Sequence, residues 1–208
     1  MTEYYIPTAP GESELVEKRS RFLGHVRCVE SEDAAREFIA EMKKTYYDAR
    51  HNCWCYIIRG GAERYSDDGE PQGTAGIPML EVFRREGIEN VVCVVTRYFG
   101  GVLLGTGGLL RAYTKSAKDA LDAAGVSVVR RWVELDLPCT YAQSERIKQE
   151  VGTAGGVVSD LEYSDKVIIK ALVSEEGAAD FAARVFDVSA GSVTAAAKGE
   201  SFRAVPLR

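Results

Sequence analysis

No stretch of this chain approaches the ~18 consecutive apolar residues that a membrane-spanning helix needs, so no transmembrane segment is expected. Met1 to Glu14 carry Glu3, Glu12 and Glu14 and lack the apolar core of a secretory signal, which makes the cytoplasm the expected compartment. Cysteine is sparse and odd in number. Cys28, Cys53, Cys55, Cys93 and Cys139 contain no C-x-x-C pair, so neither a disulfide framework nor a structural zinc site is expected, and the thiols read as reduced and buried. The two histidines, His25 and His51, do not form a metal-type pair. A basic excess is missing as well: 31 Asp and Glu against 26 Lys and Arg leave a formal charge of -5, which excludes a whole-surface footprint for DNA or RNA. Basic groups still cluster locally at Lys18, Arg19 and Arg21, at Arg84 and Arg85, and at Arg111, Lys115 and Lys118; solvated faces are the simplest reading of each.

What is present is an ordinary globular balance, 46% apolar and 27% charged, which predicts a packed core. A length of 208 residues suits a domain of ~100 to 150 residues plus a smaller one. Alternation between Glu14 and Glu30 predicts two early strands meeting near Arg19 and Ser20. Ser31 is an N-cap for a helix carrying Ala35, Phe38, Ile39 and Met42 and closing at Lys43 and Lys44. Residues Asn52 to Ile58 read as a buried strand, turning at Gly60-Gly61 into a short return over Glu63 to Ser66. An acidic, glycine-bearing loop follows, then a helix with Pro78 in its first turn and Met79, Leu80 and Phe83 on its face. Val91 to Thr96 is β-branched apart from Cys93, as in a central strand covered on both faces. A glycine loop then leads into a long helix with Leu109, Tyr113, Ala117 and Leu121 on one stripe, ending at Gly125.

Beyond it, the order is strand, helix from about Tyr141 to Val151, strands at Val157 to Tyr163 and Val167 to Val173, helix over Glu175 to Val188, and a strand from Ser192. That is the split βαβ order of ferredoxin-like domains. The fold class is therefore α+β, with domains at 1–130 and 131–208, no long linker and no low-complexity segment.

Three constellations can carry chemistry. Asp67, Asp68 and Glu70 can hold a divalent cation or position a water; the same residues can simply form a tight turn that caps the next helix. Gly100, Gly101, Gly105, Gly107 and Gly108 lie between a buried strand and a helix, where bare amides hold anions, although the P-loop lysine is missing and Leu110 occupies the third glycine position of the dinucleotide pattern. His51, beside Arg50, can shuttle a proton if a partner orients it; no nucleophile accompanies it, and a hydrogen-bonded structural role fits as well. Tyr46, Tyr47, Tyr98 and Phe99 lie next to Arg50 and Arg97, a combination that stacks on single-stranded bases or staples loops to a core.

Two long motifs in order, Ser66-Asp67-Asp68-Gly69-Glu70-Pro71-x-Gly73-Thr74-Ala75-Gly76-x-Pro78 and Val95-Thr96-Arg97-Tyr98-Phe99-Gly100-Gly101-x-x-Leu104-Gly105, resemble the signature of the IMPACT family. Lys18-x-Ser20-x-Phe22 and Ala49-Arg50-His51-Asn52 look like its flanking segments, and the added carboxy-terminal domain is similar to the bacterial YigZ branch. The resemblance implies a first domain of the ribosomal protein S5 domain 2 type and a second like the elongation factor G carboxy-terminal domains, folds that recur in proteins touching RNA or the ribosome. It also implies a link to regulation of translation, since eukaryotic relatives bind an activator of an initiation-factor kinase.

Two functions follow as expectations. In the first, the acidic loop, Arg50, His51, Arg97, Tyr98 and the glycine loop form one cleft of the first domain that binds an anionic partner, and the second domain docks RNA, the ribosome or a translation factor, with no cofactor and no membrane. In the second the same cleft is catalytic: Asp67, Asp68 and Glu70 hold a divalent cation, the glycine loop cradles a phosphate and His51 moves a proton in phosphoryl transfer or hydrolysis.

Overall fold

The computed structural model describes residues 3–207, which divide into two compact units, Tyr4–Val128 together with the residues from Ala204, and Val129–Arg203 together with Glu3. The second domain expected over 131–208 thus gives its last residues to the first unit.

In the first unit, β1 (Tyr4–Pro7) precedes the strands β2 (Gly11–Glu17) and β3 (Ser20–Cys28). Lys18 and Arg19 form the turn between β2 and β3, both at positive φ, 46° and 68°. That conformation matches the twist of the strands it joins, and Glu17 pairs with Ser20 directly behind it. α1 (Glu32–Thr45) starts where Ser31 accepts the Ala34 N–H at 3.1 Å, with Glu32 and Asp33 in the first turn and Lys43 and Lys44 in the last, each complementing the helix dipole. Next come β4 (His51–Ile57), β5 (Glu63–Ser66), α2 (Gly76–Arg85), β6 (Val91–Tyr98) and α3 (Thr106–Ala124). The sheet order is β2-β3-β6-β4-β5, antiparallel throughout. β1 escaped the sequence pattern because four residues ending in proline are too few to show a period of two.

β6 is covered on both faces, as its composition predicts. Val91, Cys93 and Val95 pack with Met79 and Phe83 of α2 and Tyr113 and Leu121 of α3. Val92 and Val94 face the other way, onto Phe38, Ile39 and Met42 of α1. Each such side chain contributes about 1.5–3 kcal/mol by leaving water. Successive residues of β6 therefore serve opposite helix layers, and this alternation decides which of its last residues reach the site.

His25 on β3 sits opposite Glu12 of β2 and Val94 of β6, with its ring stacked on Tyr46 at 5.3 Å and its Nε2 without a hydrogen-bond partner. Burial lowers its pKa, with Glu12 at 3.8 Å opposing in part. The folded state then holds fewer protons than the unfolded chain below the ordinary histidine value of about 6.5, so stability is complete above that pH and is lost as pH falls towards the depressed folded value. The unfolding free energy from urea titrations is expected to decline between about pH 7 and pH 5. His25→Phe should flatten that segment of the profile; an unaltered slope would contradict the assignment to His25.

In the second unit β7 (Val126–Cys139), which begins in the first, is followed by α4 (Tyr141–Thr153), β8 (Val157–Tyr163), β9 (Val167–Ser174), α5 (Ala178–Val188) and β10 (Ala196–Pro206). The sheet runs β8-β9-β7 with β10 also beside β7, and the element order is the one expected for a split βαβ unit. Ile147 and Val151 of α4 and Phe181 and Val185 of α5 pack on Leu135, Leu137, Ile169 and Val173 of the sheet. Two boundaries differ from the sequence expectation. Glu175–Gly177 is a 3-10 turn ahead of α5, and the last strand begins at Ala196 rather than Ser192, because the Ser189 hydroxyl takes the Val193 N–H at 3.0 Å and holds that stretch in a cap.

The described residues thus form an α+β structure of two sheets and five helices. No helix among them is long and apolar enough to cross a membrane. All five cysteines are free and only Cys28 is not fully buried.

Candidate functional site

Residues directly opposed in an antiparallel pair share a face, so His51, Arg97 and Phe22, aligned across β4, β6 and β3, all lie at one end of the face that α2 and α3 cover. Gly105 precedes the first turn of α3 there, with φ of 73°. A hollow of about 410 Å³ opens between these elements, lined among others by Arg50, His51, Glu70, Arg97, Phe99 and Gly105. Residues 27 positions apart in sequence, Glu70 and Arg97, meet on its floor.

That floor is a buried polar network. Arg97 Nη1 donates to Glu70 Oε1 at 2.6 Å, with the two side chains only 7% and 3% exposed. The Tyr113 hydroxyl donates to the same oxygen at 2.8 Å, and burial pushes its pKa far up, which keeps it a donor. Ser20 receives Arg97 Nη2 at 3.4 Å and the Gly100 N–H at 3.2 Å. The Arg97 Nε has no hydrogen-bond partner among the described residues. The Arg97 guanidinium also faces the Phe22 and Phe99 rings at 5.4 and 5.5 Å.

The other two carboxylates turn away from Glu70. Asp67 accepts the Ala75 and Gly76 N–H groups on one oxygen, at 3.0 and 2.8 Å, and the Gly73 N–H on the other at 2.8 Å. It is the cap of α2, whose own N-cap residue Ala75 has no capping side chain. Asp68, at φ of 42°, accepts the Asn52 N–H at 2.7 Å and pairs with Lys43 at 2.7 Å. Asp67, Asp68 and Glu70 therefore do not converge, and among the described residues no group of three His, Cys, Asp or Glu is placed to hold a metal ion. The clustering in sequence arises from turn geometry: consecutive residues at φ 42° and 86°, Asp68 and Gly69, send their neighbours' side chains in different directions.

His51 lies in the hollow with its Nδ1 at 2.9 Å from the Asp68 carbonyl oxygen, which orients the ring. Tyr98 does not reach the site. It follows Arg97 in β6, so its side chain crosses to the opposite face, where its hydroxyl donates to Asp48 at 2.8 Å. The glycines separate too. Gly105 lines the hollow, while Gly108 lines a neighbouring one with Lys18 and Arg111. Gly100 is required by packing, since a Cβ there would come within 2.0 Å of the Arg19 backbone, and Gly101 turns the loop at φ of 81°. Gly107 lies in the first turn of α3, and a Cβ on it would stand 3.6 Å from Arg111 Nη1. Thr106, Leu103 and Pro71 complete the wall of the first hollow and had no sequence signal beyond their place in the motifs.

Fold and site together define a two-unit α+β protein whose two longest motifs build a hollow with largely apolar walls over a buried polar network. Residues 18–121, half of the chain, match the model of the Impact N-terminal domain, and residues 137–192 match a domain of unknown function, DUF1949. The chain belongs to the IMPACT family. IMPACT family member YvyE of Bacillus subtilis is 38% identical over 175 residues, covering 83% of this chain and 81% of that protein. IMPACT family member YigZ of Escherichia coli is 33% identical over 197 residues, covering 93% and 97%. A crystal structure described as that of a hypothetical protein superposes with a TM-score of 0.60 at 32% identity, covering 96% of this chain and 98% of the other.

Proposed function

We propose that this chain is a binding protein linked to regulation of translation, whose first-unit hollow takes a phosphate-bearing segment of RNA, free or in the ribosome. One observation carries the reading: the hollow unites the bare amides at the start of α3, which has no acidic residue in its first turn, with Arg50 and His51. The first amides of a helix have no partner within the helix, and the dipole adds positive potential to them. Arg50 makes no hydrogen bond or ion pair among the described residues, so its charge is open to a ligand. Metal-assisted phosphoryl transfer finds less support, because Asp67, Asp68 and Glu70 are engaged elsewhere. In the second unit Lys170, Lys198 and Arg203 are already paired with Asp160, Asp136 and Glu134, which leaves them less available to phosphates than Arg50.

Co-sedimentation with purified ribosomal particles tests the reading. Association should weaken steeply between about 50 and 200 mM salt, and Arg50→Ala should lower the slope of log K against log salt by about 1. Binding that ignores salt, or no binding at the low-salt end, would refute it. Arg97→Ala is a poor probe, since it strands the buried Glu70 carboxylate.

A further inference from the structure

A second hollow, about 290 Å³, is lined by Lys18, Leu104, Gly108, Arg111 and Lys115. It shares Leu104 with the hollow described above. The two therefore adjoin across one side chain, on either side of the first turn of α3. Lys18, Arg19, Arg50 and Arg111 have no hydrogen-bond or ion-pair partner among the described residues, although carboxylates outnumber cations in the chain as a whole. Lys115 pairs with Asp119, and Glu17 is the carboxylate on this rim. The Arg111 guanidinium lies against Gly107, over the positive end of α3, where a cation is disfavoured unless an anion joins it. The Gly100–Arg19 contact fixes the Lys18–Arg19 turn against the loop that separates the hollows. From that loop Phe99, Val102 and Leu103 stand 45%, 40% and 82% exposed. The Arg97 Nε, buried on the floor without a partner, is one more unanswered donor in the same place.

We infer that the two hollows form one track for single-stranded RNA, crossing Leu104 and holding successive phosphates at Arg50 with the α3 amides and at Lys18 and Arg111. The inference rests on the RNA-binding reading above and narrows it. Unpaired cations on both sides of exposed apolar side chains, one of them aromatic, match a strand whose backbone lies in a basic groove while a base stacks. A duplex would bury its bases away from Phe99. A free acidic peptide would use the charges but leave Phe99, Val102 and Leu103 in water.

Fluorescence anisotropy with a labelled oligouridylate of about ten nucleotides, with uridine monophosphate and polyglutamate as competitors, tests this. Three engaged cations predict a slope of log K against log salt of about -2.1, from about 0.7 per phosphate on a single strand. Arg111→Ala should flatten that slope by about 0.7 and leave competition by the mononucleotide unchanged. Phe99→Ala should weaken the oligomer about tenfold. An Arg111→Ala protein with unaltered slope and affinity, while Arg50→Ala loses both, would overturn the track and leave the first hollow as a phosphate site. Polyglutamate displacing the oligomer at equal charge, with Phe99→Ala inert, would overturn it in favour of an acidic protein partner. No binding of oligomer, mononucleotide or ribosomal particles would overturn both readings.

Discussion

Glu70→Ala is expected to lower the unfolding free energy by about 3–5 kcal/mol, because it strands the Arg97 guanidinium in a site where only 7% of that side chain is exposed. The Tyr113 hydroxyl would lose its acceptor in the same step. The magnitude separates this pair from the surface ion pairs of the chain, such as Arg36–Glu32 with side chains 67% and 36% exposed, whose removal should cost under about 1 kcal/mol. Urea unfolding followed through Trp54, which lies on β4 of the first unit, reads the change apart from Trp132 on β7. Replacing both partners, Glu70→Leu with Arg97→Met, should recover most of the loss, since the cost lies in leaving one charge unanswered. A loss below about 1 kcal/mol for Glu70→Ala would mean that water reaches the network.

Asp67→Ala should be nearly as damaging, at about 2–4 kcal/mol, for a different reason. Its carboxylate holds three backbone N–H groups, of Gly73, Ala75 and Gly76, and the N-cap residue Ala75 offers α2 no side-chain cap of its own. Asp67→Asn keeps an oxygen acceptor and should lose roughly half as much, about 1–2 kcal/mol. Asp68→Ala, which breaks an exposed pair with Lys43 and one N–H bond, should cost less than either. Chemical denaturation of the three variants side by side checks the order; Asp68→Ala costing more than Asp67→Ala would reverse the structural roles assigned here.

Both predictions show how little of the site could be read from residue type alone. Three acidic residues within four positions suggest a cation site, yet Asp67 is a helix cap, Asp68 a strand clamp and Glu70 the partner of a buried arginine. Tyr98 beside Arg97 suggests one aromatic and basic surface, yet the strand sends them to opposite faces. Lys18 and Arg111 belong to clusters that read as separate solvated faces, and folding places them in one hollow.

Local order was legible because its causes are local. Ser31 caps α1, the Val91 to Val95 run makes a strand buried on both sides, and Gly125 ends α3 whatever the rest of the molecule does. The motif pair also carried the family, since long ordered motifs are specific without any coordinates. Which groups meet was another matter. Arg97 reaches Glu70 and Ser20 across 27 and 77 positions, and Tyr113 reaches Glu70 across 43, only because β3, β6 and α3 close around the acidic loop, and no periodicity along the chain encodes such pairings. The sequence determined the elements and their faces; only tertiary packing decided which carboxylates were already occupied and which cations were left for a partner.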